Sequence, residues 1–154
     1  MRIIYLKEKP EFVDEVASLC FAEWSHLSPG KTLKDYRDSV IKRISGSEVP
    51  SVLVSVDDFG KLTGTVSLKE YDMDIYREFS PWLASLYVKL EYRNFGLGSS
   101  LLEKAVQIAK DSGVTRLFLY TPDKEKYYSK RGWKVLSREI YHEVEVSIMF
   151  IDLN

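Results

Sequence analysis

Arg93-Asn94-Phe95-Gly96-Leu97-Gly98 places one guanidinium and two glycines within six residues, a combination suited to holding an anion. Glycine tolerates positive φ and lets a ligand or another backbone come close, and a helix that starts beside it turns its unpaired N–H groups outward. Such an end attracts anions, phosphates above all. The two commonest phosphate loops are excluded: there is no G-x-x-x-x-G-K-[ST], and Leu101 stands where G-x-G-x-x-G needs its third glycine. Taken alone, two glycines fit a tight strand-to-helix turn with no ligand equally well. A second chemically capable group lies in Lys124 to Lys130, polar except for Tyr127 and Tyr128. Neighbours on a helix stand ~100° apart, so one ring can pack while the other points elsewhere.

The loop needs a strand to carry it and a helix to follow it. Leu83 to Val88 lacks polar alternation and suits a central strand covered on both faces. Ser99 to Asp111 follows as an amphipathic helix, with Gly113 at its C-cap. Before this unit, Ile3 to Leu6 reads as a strand, and Glu11 to Trp24 as a helix whose apolar stripe is Phe12, Val16, Leu19 and Cys20. A second helix is predicted to start at Thr32 as N-cap. Asp35 would complete a capping box there, and Leu33, Tyr36, Val40 and Ile44 would face inward. Ser51 to Val56 and Leu62 to Lys69 form a hairpin around Asp57-Asp58-Phe59-Gly60. Tyr71 to Ser80 is an acidic and aromatic connection that could line a substrate mouth, though a solvated loop is the simpler reading. Arg116 to Tyr120 reads as a buried strand, Lys124 to Lys130 as a short helix, and Trp133 to Glu139 with Val144 to Ile151 as a final hairpin. The resulting order, β-α-α-β-β-β-α-β-α-β-β, describes an α/β mixed sheet with helices on both sides.

Composition narrows the functional classes. The chain has 154 residues, 45% of them hydrophobic, which is enough to bury a core in a single domain spanning 1–154. Its net charge of −1 lacks the basic excess that drives binding to nucleic acid. No run approaches ~20 apolar residues, so no membrane span is expected, and the four-residue apolar run near the N-terminus is too short for a signal-peptide core. The single cysteine, Cys20, cannot form an intramolecular disulfide or a cysteine-rich zinc site. A cytoplasmic thiol on an apolar helix face, rather than a nucleophile, is expected.

The loop fits [Q/R]-x-x-G-x-[G/A] and is preceded by Leu86-Tyr87-Val88 and Tyr92. It resembles the acyl-CoA pyrophosphate loop of the GNAT superfamily of N-acyltransferases. L-Y-V-K-L-E-Y-R-N-F-G-L-G looks like that family's L-x-V-x-P-x-Y-R-G-x-G-I-G, and K-Y-Y-S-K-R-G-W looks like its F-Y-x-K-x-G-F. The likeness is strongest over Leu83 to Trp133, and the GNAT fold has the same order of elements. Leu90 replaces the usual Pro, Asn94 a frequent Gly and Phe95 an often basic residue, which leaves the loop's charge mainly to Arg93 and the amides. Thr121 stands where many members have Asn.

The resemblance implies acetyl-CoA as co-substrate and no metal. It implies contacts to the cofactor from Leu86, Tyr87, Val88, Arg93, Asn94, Phe95, Gly96, Leu97, Gly98 and Ser99, and places Tyr128 toward the CoA sulfur. Acetyl transfer needs a deprotonated amine, of pKa near ~10, and a stabilised leaving thiolate, of pKa near ~8.5. A phenol protonated at neutral pH can serve that thiolate, so Tyr128 is the expected general acid. Glu70, Asp72, Glu78, Glu23, His26 and His142 are open as bases, as is a water chain. The expected acceptor is a small-molecule or peptide amine, with no nucleic-acid or membrane partner and with a homodimer open as an assembly. A non-catalytic acyl-CoA sensor of the same fold and a nucleotide-binding domain are the alternatives.

Overall fold

The computed structural model describes residues Met1–Asn154. Seven strands and four helices follow one another in the order β1 (Arg2–Tyr5), α1 (Val13–Trp24), α2 (Leu33–Ile44), β2 (Ser51–Val56), β3 (Leu62–Lys69), β4 (Trp82–Val88), α3 (Leu97–Asp111), β5 (Arg116–Thr121), α4 (Glu125–Ser129), β6 (Lys134–Tyr141) and β7 (Val144–Asp152). The strands form one sheet in the order β1-β2-β3-β4-β5-β7-β6. Only the β4–β5 pair is parallel, the connection between them being α3; the other pairs are antiparallel.

The two faces of the sheet are covered by different helices. β2 is buried along its whole length, and its alternate residues serve opposite layers. Leu53 joins Val66, Leu68, Leu83, Leu117 and Leu119 beneath Leu101, Leu102, Ala105 and Ala109 of α3. Val52 and Val54 face the other way, onto Val16, Ala17 and Cys20 of α1 and Val40 of α2. Removing a side chain such as Leu101 from water contributes about 1.5–3 kcal/mol, so these two layers hold both helical layers to the sheet. A third cluster joins Met73 and Trp82 to Phe118, Tyr141, Val146 and Ile148. From the Tyr71 to Ser80 connection, Met73, Tyr76 and Phe79 pack into this cluster, with Phe79 stacked on Phe118 at 4.9 Å and Tyr76 stacked on Phe79 at 5.6 Å. Most of the connection's other residues are exposed.

Boundaries shift where local geometry overrides the apolar pattern. The first helix starts at Val13, because Pro10–Phe12 forms a 3-10 turn ahead of it. α3 starts at Leu97, two residues before the expected Ser99, because Gly96 takes a left-handed conformation at the N-cap (φ 81°). The β6–β7 turn is made by His142 and Glu143, both at positive φ, as a two-residue hairpin connection requires.

The capping box of α2 is present in both directions. The Asp35 N–H donates to the Thr32 hydroxyl oxygen at 3.2 Å, and the Thr32 N–H donates to Asp35 Oδ2 at 2.8 Å. The Thr32 bonds hold the Asp35 carboxyl below the usual carboxylate range. A lowered carboxyl pKa contributes stability that is present at neutral pH and lost as pH falls through that lowered value. Thr32→Ala should cost about 1 kcal/mol in urea denaturation, whereas Asp35→Ala removes the carboxylate that the Thr32 N–H holds, and its gap to wild type should narrow in acid.

Candidate active site

The site begins with an irregularity in β4. Thr65 pairs with Tyr87 and Ser67 with Ala84, so Ser85 and Leu86 together oppose Val66 alone. Ser85 sits at φ 56°, a conformation rare outside glycine. A bulge of this kind bends a strand and increases its twist. On the other edge, β4 meets β5 at one register, Trp82 with Phe118, where the Phe118 N–H donates to the Pro81 carbonyl at 3.0 Å. Beyond that point the two strands part, and the edge of β4 facing β5 is unpaired. A cavity of about 600 Å³ opens in the gap.

One end of this cavity is the start of α3. No side chain caps the helix there, and the first amide with a partner within the helix is that of Ser100, which donates to Gly96 O at 3.1 Å. The preceding amides are therefore free to meet a ligand. Leu86, Tyr87, Val88, Arg93, Asn94, Gly96, Leu97, Gly98 and Ser99 all line the cavity. Phe95 does not; it is 83% exposed. The Arg93 side chain folds back over the Tyr87 ring, its Nε donating to the Val88 carbonyl at 2.7 Å.

α4 supplies both of its tyrosines to the cavity, contrary to the expectation that one would point elsewhere. Their rings meet edge to face, with centroids 5.2 Å apart. Tyr128 packs in the α3 layer against Trp133. Its hydroxyl makes no hydrogen bond within the protein, yet it is not among the sealed polar atoms, so it opens onto the cavity. Burial raises its pKa above the ordinary phenol value, favouring the neutral form. The Tyr127 hydroxyl reaches Gly98, where a Cβ would stand 3.1 Å from it. Arg131 lies over the Tyr127 ring at 3.7 Å and donates to Ser99 Oγ at 3.1 Å, adding a second cation that the loop motif alone did not reveal. Thr121 acts on its own turn, where its hydroxyl accepts from the Lys124 N–H at 3.0 Å and so closes the entry into α4.

The other end lies between α1, α2 and the sheet. Asp72 and Glu23 line it, whereas Glu70, Glu78, His26 and His142 do not. Asp72 is paired with Lys69 at 2.9 Å, and His142 lies 3.4 Å from Asp74 at the far hairpin. Tyr36, Tyr120, Lys69 and Arg43 also line this end. Arg43 was not among the residues expected here, although it stands seven residues after Tyr36 and three after Val40, on the inward stripe of α2. That position was the available signal.

The chain's residues 11–133 match the family model described as Acetyltransferase (GNAT) family. The chain belongs to the GNAT acetyltransferase family. Its fold is shared by several solved structures at low sequence identity. An aminoglycoside 6'-N-acetyltransferase complexed with coenzyme A is 16% identical, with a TM-score of 0.77 over 100% of this chain and 98% of that one. A GNAT-family acetyltransferase from Staphylococcus aureus Mu50 is 17% identical, with a TM-score of 0.73 over 99% of each chain. The yncA protein of Salmonella typhimurium, with its cofactor acetyl-CoA, is 16% identical, with a TM-score of 0.71 over 100% of this chain and 94% of that one. A comparison with curated proteins gave no match. In this GNAT chain no helix is long and apolar enough to cross a membrane.

Cys20 borders the acetyltransferase cavity, but burial pushes its thiol up to about 11. The thiolate is the nucleophile, so at neutral pH the group is inert. Iodoacetamide should label Cys20 slowly in the folded protein and rapidly in urea, as read by mass spectrometry. Rapid labelling of the folded chain at neutral pH would restore Cys20 as a candidate nucleophile.

Proposed function

We propose that this acetyltransferase moves the acetyl group of acetyl-CoA to a primary amine by direct attack within a ternary complex. The observation that carries the reading is the unpartnered Tyr128 hydroxyl, facing a cleft that runs between the parted strands from the open start of α3. Its support from likeness is that a chain of the same fold is an aminoglycoside 6'-N-acetyltransferase complexed with coenzyme A; the amine acceptor is carried over on that basis.

In this reading the pyrophosphate lies against the Gly96–Ser99 amides, with Arg93 and Arg131 supplying charge. The pantetheine amides pair with the free edge of β4 at Leu86 to Val88, as an added strand would. The amine nitrogen forms its bond to the acetyl carbon, and the carbon–sulfur bond breaks. An N–H near Val88 polarises the thioester carbonyl. The departing thiolate takes a proton from Tyr128, the acylated nitrogen loses its extra proton toward solvent, and Tyr128 regains a proton from solvent through the cavity. On the α1 side of that exit Glu23 lines the cavity, whereas Asp72 is committed to Lys69. Binding both reactants together supplies proximity without a covalent enzyme intermediate.

Burial weakens Tyr128 as an acid, but it penalises an unpaired thiolate in the same cavity as well. The raised pKa also keeps the phenol protonated, so an alkaline fall in rate up to about pH 10 should not come from Tyr128. Tyr128→Phe should lower the single-turnover rate of amine-dependent CoA release by ~10²–10⁴-fold, leaving acetyl-CoA affinity nearly unchanged. Tyr127→Phe removes the hydroxyl beside Gly98 instead, and should alter affinity more than rate. Wild-type single-turnover rates in both variants would eliminate the tyrosine acid.

The loop has its own test. Gly96→Ala would add strain at φ 81°, whereas Gly98 lies in the helix and a Cβ there meets only the Tyr127 hydroxyl closely. Gly98→Ala should weaken CoA binding by about tenfold, near 1.4 kcal/mol, in calorimetry. Unchanged affinity in the folded variant would remove the loop from the site.

A further inference from the structure

Arg43 is a cation set into the cavity wall without an anion of its own. It is 8% exposed and stands in the last turn of α2. Its Nη1 donates to the Ser39 carbonyl at 3.1 Å and to Ser39 Oγ at 2.5 Å. Its Nη2 reaches only Ser67 Oγ, at 3.4 Å, the outer limit of a hydrogen bond. Its Nε is the protein's one buried side-chain polar atom with no partner. Nε is sealed from solvent, so an anion entering the cavity would meet the Nε–Nη2 edge of the guanidinium at Nη2, whose bond to Ser67 is long.

No carboxylate of the protein meets that edge. Asp72 acts on Arg43 through space but is held by Lys69 at 2.9 Å. Arg43, Lys69 and Asp72 all line the same end of the cavity. Glu23, Lys31 and Asp35 line this end as well, so its formal charges balance as a whole, but Asp72 is the one carboxylate that acts on Arg43. A cation near a helix C-terminus gains from the helix dipole, but an exposed side chain would gain it too. Burying an arginine without an anion is costly, and an incoming anion would relieve that cost.

We propose that the acceptor amine also bears a carboxylate, held at the α2 end of the cavity by Arg43, so that the substrate is an amino acid or a similarly built amino carboxylate. The proposal rests on the acetyl-transfer reading of the same cavity. The carboxylate anchors one end of the acceptor, and the amine is presented toward the opening between β4 and β5. There its nitrogen bonds to the acetyl carbon as the thiolate leaves and is protonated.

The test sets the common amino acids beside their decarboxylated amines, measuring CoA release from acetyl-CoA with the whole protein. At least one acid should exceed its matched amine in kcat/KM by roughly 10- to 100-fold, the range of a hydrogen-bonded charged group. Arg43→Met should remove that preference by lowering the value for the acid and not that for the amine. Arg43→Lys, which keeps the charge without the fork, should restore part of it. Amines equal to or better than their acids throughout would overturn the carboxylate site while leaving acetyl transfer intact, as would an equal loss for both members of a pair in folded Arg43→Met.

If no acceptor releases CoA, the transfer reading fails by itself. Saturation-transfer NMR of the same acids and amines with CoA-loaded protein then decides the subsite. Acid binding that disappears in Arg43→Met and partly returns in Arg43→Lys supports it; acid binding that is absent in wild type, or indifferent to Arg43, overturns it.

Discussion

One extra residue in β4, where Ser85 and Leu86 together face Val66, changes the course of the strand, and the cavity depends on that change. A straight β4 would continue to pair with β5 beyond Trp82 and Phe118, and the space between them would close into an ordinary parallel ladder. Holding a serine at φ 56° costs on the order of 1–3 kcal/mol. That local cost is offset by burial on either side, with Trp82 in the aromatic cluster and Leu83 in the α3 layer. The strands are thus clamped together at one end and free at the other.

The same clamp aims the helix. Leu101, Leu102, Ala105 and Ala109 bind α3 across the sheet, which leaves its uncapped start at the mouth of the gap. Gly96 makes the sharp entry there, and the loop carries Arg93 to the same place. α4 is only five residues long and has no helical stability of its own. Its position comes from Tyr128 and Trp133 in the core below, and from Thr121 closing the turn before it.

Burial then assigns chemical character. Cys20 and Tyr128 both border the cavity, and desolvation keeps each in its protonated form. For a nucleophile that is disabling, whereas a proton donor must be protonated to act. The cavity's two ends differ in a comparable way. The α3 end offers backbone amides beside exposed guanidinium groups, suited to a polyanion that keeps partial contact with water. The α2 end presents a largely buried guanidinium at the cavity wall, suited to one compact anion removed from water.

The sequence by itself was sufficient for features that live within a few residues. The order of strands and helices, the Thr32 capping box, the Asp57–Gly60 hairpin and the Arg93–Gly98 loop each arise from spacing along the chain, because hydrogen bonding and apolar periodicity there are local. Only the tertiary structure decided which side chains share the cavity. Tyr127 was expected to point away, but a one-turn helix places side chains according to what anchors it, and anchoring Tyr128 beside Trp133 carried Tyr127 onto Gly98. Arg131 meets Ser99 across 32 residues, and Arg43 meets Ser67 across 24. Arg43 stood on the inward stripe of α2, yet a charged residue there reads as solvent-facing until the sheet behind it is in place. The bulge at Ser85 was equally hidden, because it is a mismatch of register between two strands and has no existence in either strand alone.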